Sequence, residues 1–392
     1  MPADCPSGSF PYELLRRYPD VEAANLRAWD VTDRLLAERA IAEAAERGLG
    51  GDRIAVIGDA YGAIALRLAA AGLTGVRVHQ DLATGRAALA RNAEELGLGG
   101  LQVQAELGAG LLRDARLVLL QLPRGLAELE EVADAVARWA SPDAVLVAGG
   151  RVKHMTLAMN EVLRASFGDV HAELAVQKSR PIVAEGPRAV PERAPFPVCV
   201  THDDVGLTLC AHGGAFAGTK LDLGTRLLLG FLDRVPAGDA VDLGCGTGAL
   251  AAAYARSHPA ASVVATDRSA AAARSARATM EANGLGGRVA VEHDDAASSR
   301  ADGSADVVLL NPPFHLGASV HAGAALRLFD AAARILRPGG ELWTVYNAHL
   351  GYRRYLEGAV GPTSVEGSTR KFTVTRSVRR HAQSPLGMNR VT

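Results

Sequence analysis

"VDLGCGTGAL", residues 241–250, starts as an apolar strand and within three residues becomes a glycine loop opening an alanine-rich helix. Gly244, Gly246 and Gly248 permit a tight turn and let backbone approach a ligand closely. Glycine turns also form for packing alone, so the surroundings decide. Asp239–Leu243 reads as the strand and Ala249–Ser257 as the helix. Ser262–Thr266 is a second strand ending at Asp267. Ser269 then caps a helix that runs to about Asn283 and stops at Gly284. Arg288–Glu292, Ala305–Leu310 and Glu341–Tyr346 read as further strands, with a helix through "AALRLFDAAARIL", residues 324–336. Strands alternating with helices predict a doubly wound, mostly parallel sheet.

The first half of the chain repeats this plan. Arg53–Ile57 leads into "GDAYG", Val76–Gln80 ends at Asp81, and Gly85–Leu96 is helical. Leu117–Leu122 precedes "PRG", and Ala144–Ala148 precedes "GGRVKH". An internal duplication of one α/β unit is the simplest reading. The proline- and charge-rich stretch Val183–Pro197 separates the copies. It predicts domains at residues 1–185 and 201–392 with a linker at 186–200. The 392 residues suit two domains of roughly 200 each.

Composition narrows the class. With 48% hydrophobic and 22% charged residues the chain reads as a globular protein. It has no apolar run of the ~20 residues a membrane helix needs, and no secretory signal pattern at its start. A cytoplasmic protein is expected. Cys5, Cys199, Cys210 and Cys245 have no metal-type spacing, so neither a metal site nor a disulfide framework is expected. The net charge of −1 neither proposes nor excludes nucleic acid; RNA would need a local basic patch.

Several features carry chemistry. Asp267 lies about 20 residues beyond the glycine loop, where a carboxylate can bind ribose hydroxyls. Asp242 precedes the loop and would repel a pyrophosphate, but suits the cationic sulfonium and amino group of S-adenosyl-L-methionine. Asp295 follows the third strand and could accept from an adenine amino group. Cys245, inside the loop, reads as a small residue in a crowded turn. The last feature is "LLNPPFHLG", residues 309–317, which ends a buried strand with an amide, two prolines and an aromatic. An exocyclic nucleobase amine is a poor nucleophile because its lone pair is delocalised into the ring. The Asn311 side-chain oxygen and the Pro312 carbonyl can accept its two hydrogens and direct that lone pair at a donor methyl. The prolines fix the geometry, and Phe314 offers a face for an extruded base. The catalytic set expected is Asn311, Pro312 and Phe314, with Asn311 also beside the donor.

With these motifs the sequence resembles the bacterial ribosomal RNA guanine-N2 methyltransferases built from tandem methyltransferase-like domains. "NPPFH" resembles that family's signature for the guanine 2-amino group; adenine and glutamine methyltransferases more often carry tyrosine where Phe314 stands. "HGGAFAGTKLDLGTRLLL", residues 212–229, resembles the stretch lining the donor site, and so implies roles for Phe216 and Asp222. It departs at Lys220. "LLRRYPDVEAANLRAWDVTDRLL", "NAHLGYRRYL" and "KFTVTRSVR" look more like the members acting on the large subunit.

The resemblance implies two tandem Rossmann-like methyltransferase domains whose sheets are mostly parallel with an antiparallel edge strand. The donor is S-adenosyl-L-methionine, held by Phe216, Asp242, Gly244, Cys245, Gly246, Gly248, Asp267, Asp295 and Asn311. The partner is ribosomal RNA, 23S rather than 16S, for a monomer with no metal and no membrane. Adenine or protein-glutamine methylation and a non-catalytic RNA-binding factor are the alternatives. The first half is expected to be a degenerate copy for scaffolding and RNA docking, with Asp59 and Tyr61 where a donor would lie. Arg124, Arg151, Lys153 and His154 fall at its strand ends and could form a phosphate-binding rim. Arg370–Arg380 predicts the antiparallel edge strand, with Arg370, Lys371, Arg376, Arg379 and Arg380 exposed. His315 and His349 are at most substrate contacts.

Overall fold

The computed structural model describes residues 10–104, 106–313 and 318–381, with side chains in the last segment from 323 onward. Phe314 and His315 lie outside the described residues. The chain forms two compact units. One takes residues 1–197 and 212–214, the other 198–211 and 215–392.

In the first unit, α1 (Val31–Arg47) precedes β1 (Ile54–Ile57), α2 (Ala63–Ala70), β2 (Arg77–His79), α3 (Ala83–Glu95) and β3 (Gln102–Gln104). The short α4 (Ala109–Leu112) leads to β4 (Leu117–Gln121), α5 (Leu126–Trp139), β5 (Val145–Arg151), α6 (Leu157–Ser166), β6 (Phe167–Ala172) and β7 (Ser179–Pro187). The sheet order is β3-β2-β1-β4-β5-β7-β6. Neighbouring strands are parallel except for the pairs β5–β7 and β7–β6, so β7 alone runs against the rest.

The second unit opens with a hairpin of β8 (Val198–His202) and β9 (Leu207–Ala211), then α7 (Leu223–Leu229). It continues through β10 (Ala240–Leu243), α8 (Ala249–Ser257), β11 (Val263–Asp267), α9 (Ala270–Ala282), β12 (Val289–His293) and β13 (Ala305–Leu310). It ends with α10 (Ala318–Ile335), β14 (Leu336–Asn347), α11 (Arg353–Ala359), β15 (Thr363–Ser368) and β16 (Phe372–Val378). The order β12-β11-β10-β13-β14-β16-β15 repeats that of the first unit strand for strand.

The apolar runs are strands because both faces of each sheet are covered. In β13, Val307 and Leu309 enter one core with Tyr254 and Trp343, while Val308 and Leu310 enter another with Phe329 and Ile335. Ser269 caps α9 as its pattern predicts, accepting from Ala272 N at 3.1 Å, and Gly284 follows the helix at φ 69°.

Three expectations need correction. β7 extends through Pro187, so Val183–Pro187 is paired strand and not linker. The connection between β7 and β8 is therefore residues 188–197. β16 is antiparallel, but it lies inside the sheet, and β15 is the edge. Arg376 is accordingly half-buried and paired with Glu341, and Arg379 is half-buried too, while Arg370, Lys371 and Arg380 are exposed. Finally, Cys199 and Cys210 form a disulfide, because the hairpin register sets them directly opposite each other. Spacing along the chain could not show that.

The first unit buries two carboxylates with a measurable consequence. Burial first, and then the charge of Asp59, push Asp33 up to about 7, and burial pushes Asp59 up to about 6. Unfolded, both ionise near 4. Between these values the folded chain holds protons the unfolded chain lacks, so stability falls as pH rises. Asn at 33 can keep both contacts of Asp33 (Gln121 Nε2 and Asp30 N) by reversal of the Gln121 amide. Asp33→Asn should therefore flatten the decline in unfolding midpoint between about pH 5 and 8, and gain at least ~1 kcal/mol at the upper end. Calorimetry across that range checks it; a variant that tracks the wild type would mean Asp33 is ionised when folded.

Candidate active site

Leu243 of β10 pairs with Leu310 of β13, so Gly244 and Asn311 leave the sheet side by side at its carboxyl edge. Open α/β sheets bind ligands at that edge.

The loop itself is built for close approach. Gly244, Gly246 and Gly248 have φ of 72°, 55° and 79°, a region costly for residues with a Cβ. Among the described residues a Cβ on Gly244 or Gly246 would have no atom within 4 Å, so the loop faces open space there. Gly248 serves packing instead: its Cβ would lie 2.7 Å from Met280 Cε and 3.1 Å from Ala276 Cβ. Gly244 N and Cys245 N donate to Thr266 O, which ties the loop to the end of β11.

Asp267 braces the same loop. Its Oδ2 accepts from Gly246 N at 2.9 Å and its Oδ1 from Ser269 N at 2.9 Å. A carboxylate has about four acceptor sites, and these two amides take two of them. Asp242 is only 1% exposed, and its Oδ2 accepts from Ala251 N in α8 at 2.9 Å. Burial pushes its carboxyl up to about 7, against the pull of that hydrogen bond. It supports the loop from within the core. Cys245 is buried, and burial followed by the charges of Asp267 and Asp242 pushes its thiol up, so it is no thiolate nucleophile. Asp295 is paired with Arg327, and Asp294 caps its own loop through Ser298 Oγ and Ser299 N. Phe216 is 63% exposed. His349 and Lys220 are exposed.

Asn311 is held by an arrangement that motif reading does not reveal. Its Nδ2 donates to Asp222 Oδ2 and to Thr225 Oγ1, both at 2.9 Å. Asp222 caps α7 with the same oxygen, accepting from Gly224 N at 2.8 Å and Thr225 N at 3.1 Å. That oxygen already accepts from two backbone N–H groups, so the amide nitrogen faces it and Oδ1 points away. Among the described residues that buried Oδ1 has no hydrogen-bond partner. Pro312 is buried. Thr344 Oγ1 donates to Leu310 O at 2.9 Å and anchors the strand end. Gly224 borders the oxygen, since a Cβ there would lie 3.3 Å from Asn311 Oδ1 and 3.4 Å from Phe372 Cε1. Thr225, Gly224 and Phe372 were missed in the sequence. "LDLGT" signals a helix cap there, but not that the cap reaches Asn311.

In the first unit the same positions are closed. Ile57 pairs with His79, so Gln80, not Asp81, takes the place of Asp267. The Gln80 amide donates to Asp59 O at 2.6 Å and Ala60 O at 2.9 Å, sewing the loop shut. Asp59 is fully buried and accepts from Gly62 N and Ala65 N. Tyr61, the counterpart of Thr247, is nearly buried, donates to Asp20 at 2.7 Å and carries Arg17 over its ring at 4.6 Å. No open glycine cradle remains.

The described residues contain no cluster of side chains able to hold a metal and no helix long and apolar enough to cross a membrane.

Residues 7–188 match the family profile described as RLMG N-terminal domain, and residues 206–376 that of the methyltransferase small domain. The protein of Pseudomonas paraeruginosa named ribosomal RNA large subunit methyltransferase G is 37% identical over 368 residues, covering 93% of this chain and 96% of its own. The protein of that name from Streptomyces coelicolor is 34% identical over 385 residues, covering 93% and 98%. The T. thermophilus 16S rRNA guanine-N2 methyltransferase, solved with AdoMet and guanosine, superposes with a TM-score of 0.71 at 24% identity, covering 90% of this chain and 92% of its own. At that identity it speaks for the fold.

Proposed function

The chain belongs to the ribosomal RNA large subunit methyltransferase G family, and on that premise we propose that it methylates the exocyclic 2-amino group of a guanine in 23S rRNA. The observation that carries the chemistry is the Asn311 amide: Asp222 and Thr225 hold its nitrogen, and its buried oxygen is left to accept.

The open faces of Gly244 and Gly246, with the Asp267 carboxylate bonded to the loop at Gly246 N, fit a nucleoside-bearing donor. In this reading Asp267 takes the ribose hydroxyls and the loop backbone lies along the donor. Asp295 shares its carboxylate between Arg327 and the adenine amino group. Asp242 acts from beneath, fixing the loop through α8. When bound, S-adenosyl-L-methionine supplies an electrophilic methyl: the amine lone pair forms the N–C bond as the S–C bond breaks, and sulfur keeps that electron pair.

Asn311 Oδ1 and the Pro312 carbonyl each accept one amine hydrogen, which frees the lone pair from the ring and aims it. The methylated amine is cationic and acidic, so its proton passes to water without a dedicated base. Phe314 stacks on the extruded base. The first unit, with its closed loop, serves as a scaffold that docks RNA and binds no donor.

The test is methyl transfer to protein-free 23S and 16S RNA from a strain lacking the gene, with the product mapped to one nucleotide. Methylguanine in 23S RNA is the expected result. Product in 16S RNA alone, or on adenine, would overturn the assignment, as would donor binding with no transfer at all.

A second consequence concerns Gly224. Its alanine variant puts a methyl group 3.3 Å from Asn311 Oδ1 and 3.0 Å from Asp222 Oδ2. Gly224→Ala should slow single-turnover transfer by about 10- to 100-fold, the cost of misplacing one catalytic acceptor. Donor affinity, read by calorimetry, should not change. An unaffected rate would mean the oxygen is not where the amine is held.

A further inference from the structure

The first unit lost its donor cradle but kept a cavity at the carboxyl edge of its sheet. Ile57 pairs with Leu120, as Leu243 pairs with Leu310, so Gln121 stands where Asn311 stands in the second unit. Gln121 even repeats the anchoring device, donating from Nε2 to Asp33. Beyond it, Leu122, Pro123 and Arg124 replace the Pro-Pro-Phe run. The cavity there has a volume of about 160 Å³. Leu122, Met155 and Met159 give it an apolar floor, and Arg124, Arg151 and His154 a basic rim. The floor closes over Gly150, whose Cβ would meet Leu122 at 3.2 Å and Met155 at 3.6 Å.

The rim is unbalanced in charge. Among the described residues no carboxylate lines the cavity. Among the described residues neither Arg124 nor the adjacent Lys153 forms an ion pair, although the chain has 43 acidic residues for 42 Lys and Arg. Arg151 is fixed by bonds from Nη1 to Gln177 O at 3.1 Å and Ser179 Oγ at 3.2 Å, which leaves its other guanidinium donors uncommitted. Loss of solvent, and then the charges of Arg124, Lys153 and Arg151, hold His154 below the usual histidine value. Like charges gathered without a counter-charge repel one another and fit an anion that arrives from outside.

We propose that this cavity seats a backbone phosphate of the substrate RNA, with the attached sugar or base against the Leu122–Met155–Met159 floor. The proposal rests on the rRNA reading above for its ligand. A free phosphate ester offers the same chemistry, so the experiment must separate the two.

Full-length protein is titrated with protein-free 23S rRNA by filter binding over a range of salt. Arg124→Gln/Lys153→Gln, which alters two exposed side chains, should raise the dissociation constant about tenfold and lessen the log–log salt slope by about 0.7 for each lost single-strand phosphate contact. The unfolding midpoint should stay fixed, and Arg124→Lys/Lys153→Arg should restore affinity. Equal affinity and slope for wild type and double variant would overturn the proposal. So would loss of inorganic phosphate or guanosine monophosphate binding in the variant with unchanged rRNA binding, which would make this a site for free phosphate esters. Wild-type protein that fails to bind 23S rRNA would overturn the functional reading and this site together. Normal wild-type binding with an unaffected variant would sink the site alone.

Discussion

Asn311→Ala should lower single-turnover methyl transfer by about a thousandfold or more while leaving the affinity for S-adenosyl-L-methionine within about twofold. The variant removes the one buried acceptor that Asp222 and Thr225 leave unpartnered. Without that acceptor the amine keeps its lone pair in the ring. Asp222 still caps α7 through Gly224 N and Thr225 N, so the fold around the site should survive. Rapid-quench transfer from a labelled donor and equilibrium dialysis of that donor separate the two effects. A rate within tenfold of wild type would show that the amine is activated by some other group.

Asp267→Ala should have the opposite signature. Donor affinity should fall about a hundredfold, near 3 kcal/mol, because a charged acceptor of the ribose hydroxyls is lost. Part of that loss comes through the loop, since Gly246 N and Ser269 N lose their acceptor too. At saturating donor the rate should drop less than tenfold. Titration calorimetry gives the affinity, and unchanged binding would remove Asp267 from the donor site. The pair of variants therefore splits the site: one residue acts on the amine, the other on the donor.

The elements that could be read directly were those whose neighbours matter least. Ala305–Leu310 was legible to the residue because a strand covered on both faces reads as a nearly continuous apolar run, here Val307–Leu310. Ser269 and Gly284 marked both ends of α9, since caps are local chemistry. β15, with its exposed Ser364, Val365 and Ser368, has no such pattern and was overlooked. Without it, β16 looked like an edge. β7 was hidden by Pro181, Gly186 and Pro187, residues that argue against a strand. The glycine loop and the Asn311 corner were visible as motifs, whereas the grip of Asp222 and Thr225 on Asn311 was not.

Order along the chain was enough for the duplicated α/β plan, the donor loop and the corner at Asn311, because apolar runs, positive-φ glycines and prolines each act within a few residues. Folding in three dimensions decided which oxygen of the corner stays free, that Gln80 closes the first loop, and that Cys199 meets Cys210. Each of these depends on a partner brought in by strand register or helix packing, and a hydrogen bond or disulfide forms only where that partner arrives within reach.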